Sequence, residues 1–187
     1  ISTYDGIVLA RSVLDDDGSY SRIYPAGDLA SHVVGYVSQQ YGTSGIEDAY
    51  NDTLKGQENF ATWTDVLNDM AGIGTTGNDV TLTINSKIQQ AAQDAIAGKK
   101  GAAVVMDPKT GAILAMASAP TYDAANFEQV IAAANADSSD SSLINRATGN
   151  LYAPGSTFKM VTLSTALEDD VANESTTFSS PGTIDIG

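Results

Sequence analysis

The sequence predicts an α+β protein in which helices flank a short antiparallel sheet. Residues 102–106 and 112–117 are apolar runs joined by a turn that contains Pro and Gly, which is typical of a β-hairpin. Residues 80–84 alternate between apolar and polar side chains, as a strand does. An apolar helix is predicted after Pro154 and Gly155, which break the chain. Continuous apolar character in both hairpin strands implies layers on both faces of the sheet.

The first forty residues carry mainly β and turn signals. Residues 1–10 are two β-rich runs around an Asp-Gly pair, which predicts a hairpin or turn. Residues 15–18 predict an acidic turn, and their spacing does not suit calcium, which needs ligands at alternate positions. Residues 20–25 are β-prone. Residues 30–41 fit either a strand or a short helix, because their periodicity does not decide between the two.

Helix signals follow in the next stretch. Ser44 and Glu47 have the spacing of a capping box, which predicts a helix over residues 45–54 with Gly56 suited to close it. A further helix is predicted over residues 62–70.

A glycine-rich loop marks the boundary between two modules. Trp63 is the expected packing anchor of the helix before this loop. Glycines at positions 72, 74 and 77 then predict the loop itself. We expect the modules to span residues 1–79 and 80–187.

The second module has clear helix boundaries. Asn85 or Ser86 is expected to cap a helix that Gly98 ends. Residues 126–136 predict a short helix, and residues 137–142 predict a polar loop.

Composition excludes several functions. The net charge is −14 with nine Lys plus Arg, so nucleic-acid binding is not expected. The chain has no cysteine, which excludes disulfides and thiolate chemistry. His32 is the only histidine and lies in an apolar stretch, so we interpret it as structural. Multi-histidine zinc sites are excluded, and neither a metal nor a cofactor is expected.

The sequence contains no run long and apolar enough to span a bilayer, and no signal peptide. Because the chain begins at Ile1, we expect it to be an excised segment whose upstream part is missing.

Ser156 and Lys159 are the candidate catalytic residues. Helical spacing places residues three apart on one face, so the hydroxyl and the amine point the same way. The hydroxyl lies at the positive end of the helix dipole, where a developing anion is favoured. In a desolvated site, Lys159 can lose its proton and activate the serine. Ser156 could instead be only an N-cap, but the apolar helix behind it favours catalysis.

These residues carry a resemblance to a known family. Residues 145–147 (Asn-Arg-Ala) and 152–159 (Tyr-Ala-Pro-Gly-Ser-Thr-Phe-Lys) resemble the active-site helix entry of penicillin-binding proteins, in which Ser-x-x-Lys is one of three motifs. Residues 22–30 and 42–56 are similar to the N-terminal non-catalytic module of class B enzymes, and residues 82–112 to the start of their transpeptidase domain. Within the family, the likeness is greatest to the penicillin-binding protein A group of actinobacteria.

The resemblance implies a peptidoglycan D,D-transpeptidase, which crosslinks stem peptides through an acyl-enzyme and is acylated by β-lactams. Ser156 would be the nucleophile and a backbone oxyanion donor, and Lys159 the general base. Residues 1–79 would be a dimerisation or pedestal-type module, and residues 80–187 the N-terminal portion of a penicillin-binding/β-lactamase-like transpeptidase domain with an incomplete sheet.

The same resemblance implies an extracytoplasmic protein, anchored to the membrane by an N-terminal helix that this chain lacks. It also implies a membrane glycan polymerase of the division or elongation machinery as a partner.

Two features depart from the family pattern. No Ser-x-Asn follows Ser156, and the only Lys-Thr-Gly, at residues 109–111, precedes the serine. We interpret that Lys-Thr-Gly as a hairpin turn and not as the third motif. The chain is therefore expected to stop before both motifs and to have little acylating activity alone.

Two alternatives remain at this point. A class D-like serine β-lactamase also carries Ser-Thr-Phe-Lys, although the long module before residue 80 argues against it. A non-catalytic cell-wall scaffold with a vestigial serine is the other.

Overall fold

The computed structural model describes residues 1–56 and 77–183, which divide into the units Ile1–Asn150 and Leu151–Gly187. The helix expected over residues 62–70, its anchor Trp63 and the glycines at positions 72 and 74 lie outside the described residues. Within the described part, no helix combines the length and the apolar character needed to cross a bilayer.

An antiparallel hairpin lies near the start of the first unit. Strand β1 (Arg11–Leu14) pairs with β2 (Tyr20–Ile23), which confirms the β-prone character of that second segment. The acidic turn between them is also confirmed, because the Asp15 N–H donates to the Ser19 carbonyl at 2.8 Å.

The hairpin or turn predicted for residues 1–10 is confirmed, whereas the strand predicted for residues 80–84 is wrong. The tight turn of the first segment is present, but Ser2 makes only single bridges, to Val8 and Thr81. Its N–H donates to the Val80 carbonyl at 3.0 Å. The Leu82 N–H donates to the Ser2 carbonyl at 2.9 Å, and the Tyr4 N–H donates to the Ile84 carbonyl at 2.8 Å. These hydrogen bonds join the two segments, but Ser2 and Thr81 form the single bridge between them, so neither segment gains the row of paired neighbours that a regular strand requires.

Residues 30–54 fold into short elements. Both alternatives for residues 30–41 occur, since a helical turn precedes a two-residue strand pair. Two short helices replace the single helix expected over residues 45–54. The elements in order are α1 (Ser31–Val34), β3 (Val37–Ser38), β4 (Gly42–Thr43), α2 (Gly45–Ala49) and α3 (Asn51–Leu54).

The predicted capping box is wrong. Ser44 is the N-cap of α2, but its side chain accepts no hydrogen bond from the helix. Glu47 instead turns to Arg22 on β2, which donates from Nε and Nη2 at 2.7 and 3.2 Å. Because only 3% of the Glu47 side chain is exposed, a paired cation outweighs the capping interaction at this position.

Helix α4 (Ser86–Ile96) confirms the helix expected after Asn85. The Asn85 side chain accepts hydrogen bonds from two backbone N–H groups of the first turn, at 3.1 and 3.2 Å. Asp5 adds a second cap, accepting from the Ser86 hydroxyl and N–H at 2.5 and 2.9 Å. These hydrogen bonds lower the pKa of Asp5 to about 2, so a carboxylate stays at the positive end of the helix dipole.

Strands β5 (Gly101–Met106) and β6 (Ile113–Ala119) form the expected hairpin. α4 packs on it through small side chains, among them Ala92 and Ala117, which let the helix approach the sheet closely. The expected cover on both faces is absent at one end, because Val104 and Met106 are 47% and 54% exposed within the described part of the chain.

The buried carboxamide of Gln89 joins α4 to the main chain of β6. Its Oε1 accepts from the Met116 N–H at 2.8 Å, and its Nε2 donates to the Met116 carbonyl at 3.0 Å. The same Nε2 lies 3.0 Å from Oε1 of Gln93, which accepts from the Ala30 N–H at 3.0 Å. A chain of amides therefore runs from the hairpin through α4 to the N-terminal residues.

Residues after β6 return to the N-terminal part of the unit. A 3-10 turn (Ala124–Asn126) leads into α5 (Phe127–Ala136), which confirms the expected helix, and α6 (Arg146–Gly149) follows the polar loop. The Phe127 ring stacks on Tyr36 with centroids 3.6 Å apart. One buried cluster thus draws on both ends of the unit: Ile1, Leu9, Ala10, Tyr24, Ala30, Val34, Tyr122, Ala124 and Phe127.

His32 holds the polar loop against this cluster. Its Nε2 lies 2.6 Å from the Ser142 carbonyl, which can only accept, so Nε2 carries the proton. The ring meets Tyr122 edge-on at 4.9 Å, and the His32 carbonyl accepts from Asn145 Nδ2 at 3.2 Å. Burial lowers the pKa of His32; the hydrogen bond to Ser142 opposes this shift, and the charge of Arg146 adds to it.

The protein should become less stable as the pH is lowered through the range in which His32 titrates. The folded pKa lies below the unfolded value of 6.5, so stability is complete above pH 6.5 and is lost as pH falls toward the folded pKa. In His32→Gln, which keeps a donor but does not titrate, the urea midpoint should depend less steeply on pH below 6.5. Equal slopes in the two proteins would contradict this assignment.

Candidate active site

The segment that carries Ser156 is a left-handed turn followed by a continuous helix. Pro154 has φ −67°, and Gly155 has φ +54°, in the left-handed region that favours glycine. A 3-10 helix then spans Gly155–Phe158, and α7 spans Lys159–Glu168. The backbone therefore passes directly from the left-handed conformation at Gly155 into a helix.

The helix starts differently from the sequence-based expectation. Ser156 lies inside the 3-10 helix, and the α-helix begins at Lys159. The N-caps of these two helices are Pro154 and Phe158, so Ser156 is not a capping residue. The Lys159 N–H donates to the Ser156 carbonyl, which links the two residues directly. Residues three apart are neighbours on a helix surface, so the spacing of Ser156 and Lys159 is compatible with the shared face that the sequence predicts.

Ser156 carries two hydrogen-bonding groups, its backbone N–H and its hydroxyl, that are unpaired within its own unit. Within residues 151–183, its N–H has no acceptor and its Oγ makes no hydrogen bond. Lys159 Nζ is likewise without a hydrogen bond in that range. A free backbone N–H beside a free hydroxyl suits a serine nucleophile whose amide stabilises an oxyanion.

Ser156 and Lys159 are both exposed to solvent. The apolar side chains of α7 are exposed as well, with Met160 at 70% and Leu163 at 60%.

The Lys-Thr-Gly at residues 109–111 forms the β5–β6 turn, as its position predicted. Asp107 accepts from the Lys109 N–H and the Thr110 hydroxyl, both at 2.9 Å, and Gly111 has φ +76°. Hydrogen bonds within the turn thus account for this motif. The described residues contain no cluster of side chains able to hold a metal ion.

Sequence reasoning overlooked Thr157. Its N–H donates to the Pro154 carbonyl at 3.2 Å, and its hydroxyl donates to the same oxygen. The signal available in the sequence was a residue with a hydroxyl three positions after a proline, which can close a turn by a side-chain hydrogen bond.

Two family models match the chain in succession. Residues 1–80 match the penicillin binding protein A dimerisation domain, and residues 101–186 match the penicillin binding protein transpeptidase domain. The chain therefore belongs to the penicillin-binding proteins.

Curated relatives are peptidoglycan D,D-transpeptidases. The chain is 34% identical over 194 residues to PbpA of Mycolicibacterium smegmatis, a match that covers 97% of this chain and 40% of the relative. It is 32% identical over 197 residues to MrdA of Escherichia coli K12, covering 88% of this chain and 31% of the relative. The chain thus spans well under half the length of these relatives.

Solved structures of a transpeptidase domain and of a penicillin-binding protein are also similar to this chain. The D,D-transpeptidase domain of a peptidoglycan glycosyltransferase from Eggerthella lenta has a TM-score of 0.84 and 69% identity, covering 100% of this chain and 40% of that one. The imipenem acyl-enzyme of penicillin-binding protein A from Mycobacterium tuberculosis has a TM-score of 0.77 and 34% identity, covering 92% of this chain and 42% of that one.

Replacing Gly155 with alanine should impair the site. Alanine at φ +54° costs about 1–2 kcal/mol, so the turn should relax and rotate the Ser156 N–H out of place. We expect acylation of the whole protein by a labelled penicillin to slow about tenfold. Gly149→Ala is the matched control, because a Cβ there meets no atom within 4 Å and φ is not positive. Equal slowing in both variants would show that the conformation of Gly155 is irrelevant.

Proposed function

We propose that the whole protein is a peptidoglycan D,D-transpeptidase that works through a serine acyl-enzyme and is a target of β-lactams. The observation that carries the proposal is the 3-10 turn, in which the Lys159 N–H donates to the Ser156 carbonyl while the Ser156 N–H has no acceptor within residues 151–183. The match of residues 101–186 to the transpeptidase family supports it.

In the proposed reaction, unprotonated Lys159 takes the hydroxyl proton of Ser156 as Oγ attacks the penultimate D-alanine carbonyl. The Ser156 N–H stabilises the oxyanion of the tetrahedral intermediate. The C–N bond then breaks, the proton passes from Lys159 to the leaving nitrogen, and D-alanine departs. An amine of a neighbouring stem peptide attacks the serine ester, which forms the crosslink and restores the hydroxyl.

The proposal extends to the arrangement of the whole protein. Residues 1–79 would be the non-catalytic module and residues 80–187 the first part of the transpeptidase domain. We place the protein outside the cytoplasm, anchored by a helix outside this chain, with a membrane glycan polymerase as its partner. The two family models support the division into modules, and the peptidoglycan function of the curated relatives supports the location outside the cytoplasm.

Substitution of the two catalytic candidates tests the proposal. In the whole protein, Ser156→Ala and Lys159→Arg should each slow acylation by a labelled penicillin at least about a thousandfold, because one removes the nucleophile and the other the titratable base. The adduct is followed by mass spectrometry and mapped to the peptide that contains Ser156.

Lys109→Ala is the matched control. It removes the lysine side chain from the Lys-Thr-Gly at residues 109–111, while the hydrogen bonds that Asp107 accepts still hold the hairpin turn. Its acylation rate should equal that of the parent protein. Stoichiometric labelling of the Ser156→Ala protein would refute the proposed nucleophile, and rapid release of hydrolysed penicillin by the parent protein would favour a β-lactamase.

The 187-residue chain by itself should acylate poorly. Ser156 and Lys159 are exposed in it, so water solvates the lysine and competes for the oxyanion. Intact-mass measurement after incubation with penicillin should show little adduct, while the whole protein labels under the same conditions. Rapid stoichiometric acylation of the short chain would contradict this expectation.

A further inference from the structure

Two basic side chains from distant parts of the sequence bind consecutive residues at the end of the polar loop. His32 on α1 donates from Nε2 to the Ser142 carbonyl at 2.6 Å. Arg146 on α6 donates from Nη1 to the Ser141 carbonyl at 2.9 Å and from Nη2 to the Ser141 hydroxyl at 2.6 Å. We call this pair of side chains, with the two serines that they bind, the clamp.

The two basic groups of the clamp are close enough to influence each other. Burial lowers the pKa of His32 most, and the hydrogen bond to Ser142 opposes that shift. The charge of Arg146 lowers the pKa of His32 further. Only 6% of Arg146 is exposed, so water and salt screen its charge little. A proton added to His32 therefore places a second positive charge beside a buried guanidinium.

The other groups around the His32 ring do not compensate for that charge. Tyr122 meets the ring edge-on at 4.9 Å, and burial raises the pKa of Tyr122, so its hydroxyl stays uncharged. Asp140 of the polar loop accepts from the Ser142 N–H at 2.7 Å. Nδ1 of His32 makes no hydrogen bond within the described residues, so the N–H that protonation adds there has no acceptor. The closed clamp therefore fits the neutral imidazole and not the imidazolium.

Release of the polar loop would leave the core of the first unit in place. Residues 137–140 are exposed, and the buried cluster around Phe127 includes no residue of the loop. The Ser142 hydroxyl is buried without a hydrogen bond in the described part of the chain. Because an unpaired buried hydroxyl is costly, its hydration on release offsets part of the contacts that are lost. Local opening is therefore less costly than unfolding of the whole unit.

We propose that His32 and Arg146 form a pH-sensitive clamp on the polar loop, which leaves α1 when His32 is protonated. Above pH 6.5, His32 is neutral whether the loop is held or released, and the clamp stays closed. Below pH 6.5, the released state binds a proton more readily, so its population rises as the pH falls. The clamp thus acts on α6, the last helix before the segment of Ser156 in the chain.

Hydrogen exchange of the whole protein, followed by mass spectrometry of short peptides, tests the clamp. The reporters are the N–H groups of Ile144 and Arg146, which donate to the Ser141 carbonyl at 3.3 Å and to Ser118 Oγ at 3.0 Å. The internal reference is the Gly111 N–H, which donates to the Asp107 carbonyl at 2.8 Å in the hairpin turn. Protection factors, which correct for the intrinsic pH dependence of exchange, are measured from about pH 8 to about pH 5.

Protection of the two reporters should be constant above pH 6.5 and fall below it, by at most about tenfold per pH unit for one titrating group. Protection of Gly111 should not change. In His32→Gln, which keeps a donor for the Ser142 carbonyl but does not titrate, the fall should disappear. A flat profile in the parent protein, an equal fall in His32→Gln, or an equal fall at Gly111 would overturn the inference.

Arg146→Lys is the matched control, because it keeps the charge and loses the planar fork that binds Ser141. Its reporters should be less protected at every pH, with the same slope below pH 6.5 as in the parent protein. Loss of that slope would assign the pH dependence to packing and overturn the inference. If His32→Gln does not fold, the contrast between the reporters and Gly111 in the parent protein decides the question.

Discussion

The buried carboxamide of Gln89 is the interaction on which the rest of the first unit depends. Only 1% of this residue is exposed, yet both its polar atoms are paired. It binds the N–H and the carbonyl of Met116 as a neighbouring strand residue would, and through Gln93 it reaches the Ala30 N–H. A buried amide left unpaired would be costly, so this network fixes one position of α4 between the hairpin and the N-terminal residues.

Apolar packing connects the same parts of the first unit as the amide network does. α4 lies against the hairpin through alanines, while the chain after β6 returns to complete the N-terminal core with Phe127. Residues 1–54 and 120–145 therefore share one buried cluster, although they are far apart in the sequence and match different family domains. His32 ties the polar loop to this cluster through the Ser142 carbonyl and Asn145 Nδ2.

The candidate site depends on backbone conformation more than on burial. The left-handed Gly155 and the doubly bonded Pro154 carbonyl set the direction in which Ser156 is presented. Its N–H has no acceptor within residues 151–183, as is usual for the first residues of a helix. As the proposed nucleophile, Ser156 would lose little entropy on meeting a substrate carbonyl, which is the advantage of a preorganised site.

The sequence by itself determined the elements whose signals are local. Asn85, the alanine-rich helix and the Gly111 turn each carry their physical cause within a few residues, so α4 and the hairpin were predicted correctly. The Ser-x-x-Lys spacing, together with the apolar helix behind it, singled out Ser156 and Lys159 as catalytic candidates. Tertiary structure decided the rest. Glu47 pairs with Arg22 of strand β2 and does not cap its own helix, and residues 80–84 form a single bridge, from Thr81 to Ser2, in place of the predicted strand. Such choices depend on which distant groups compete for one hydrogen bond, and no local pattern records that competition.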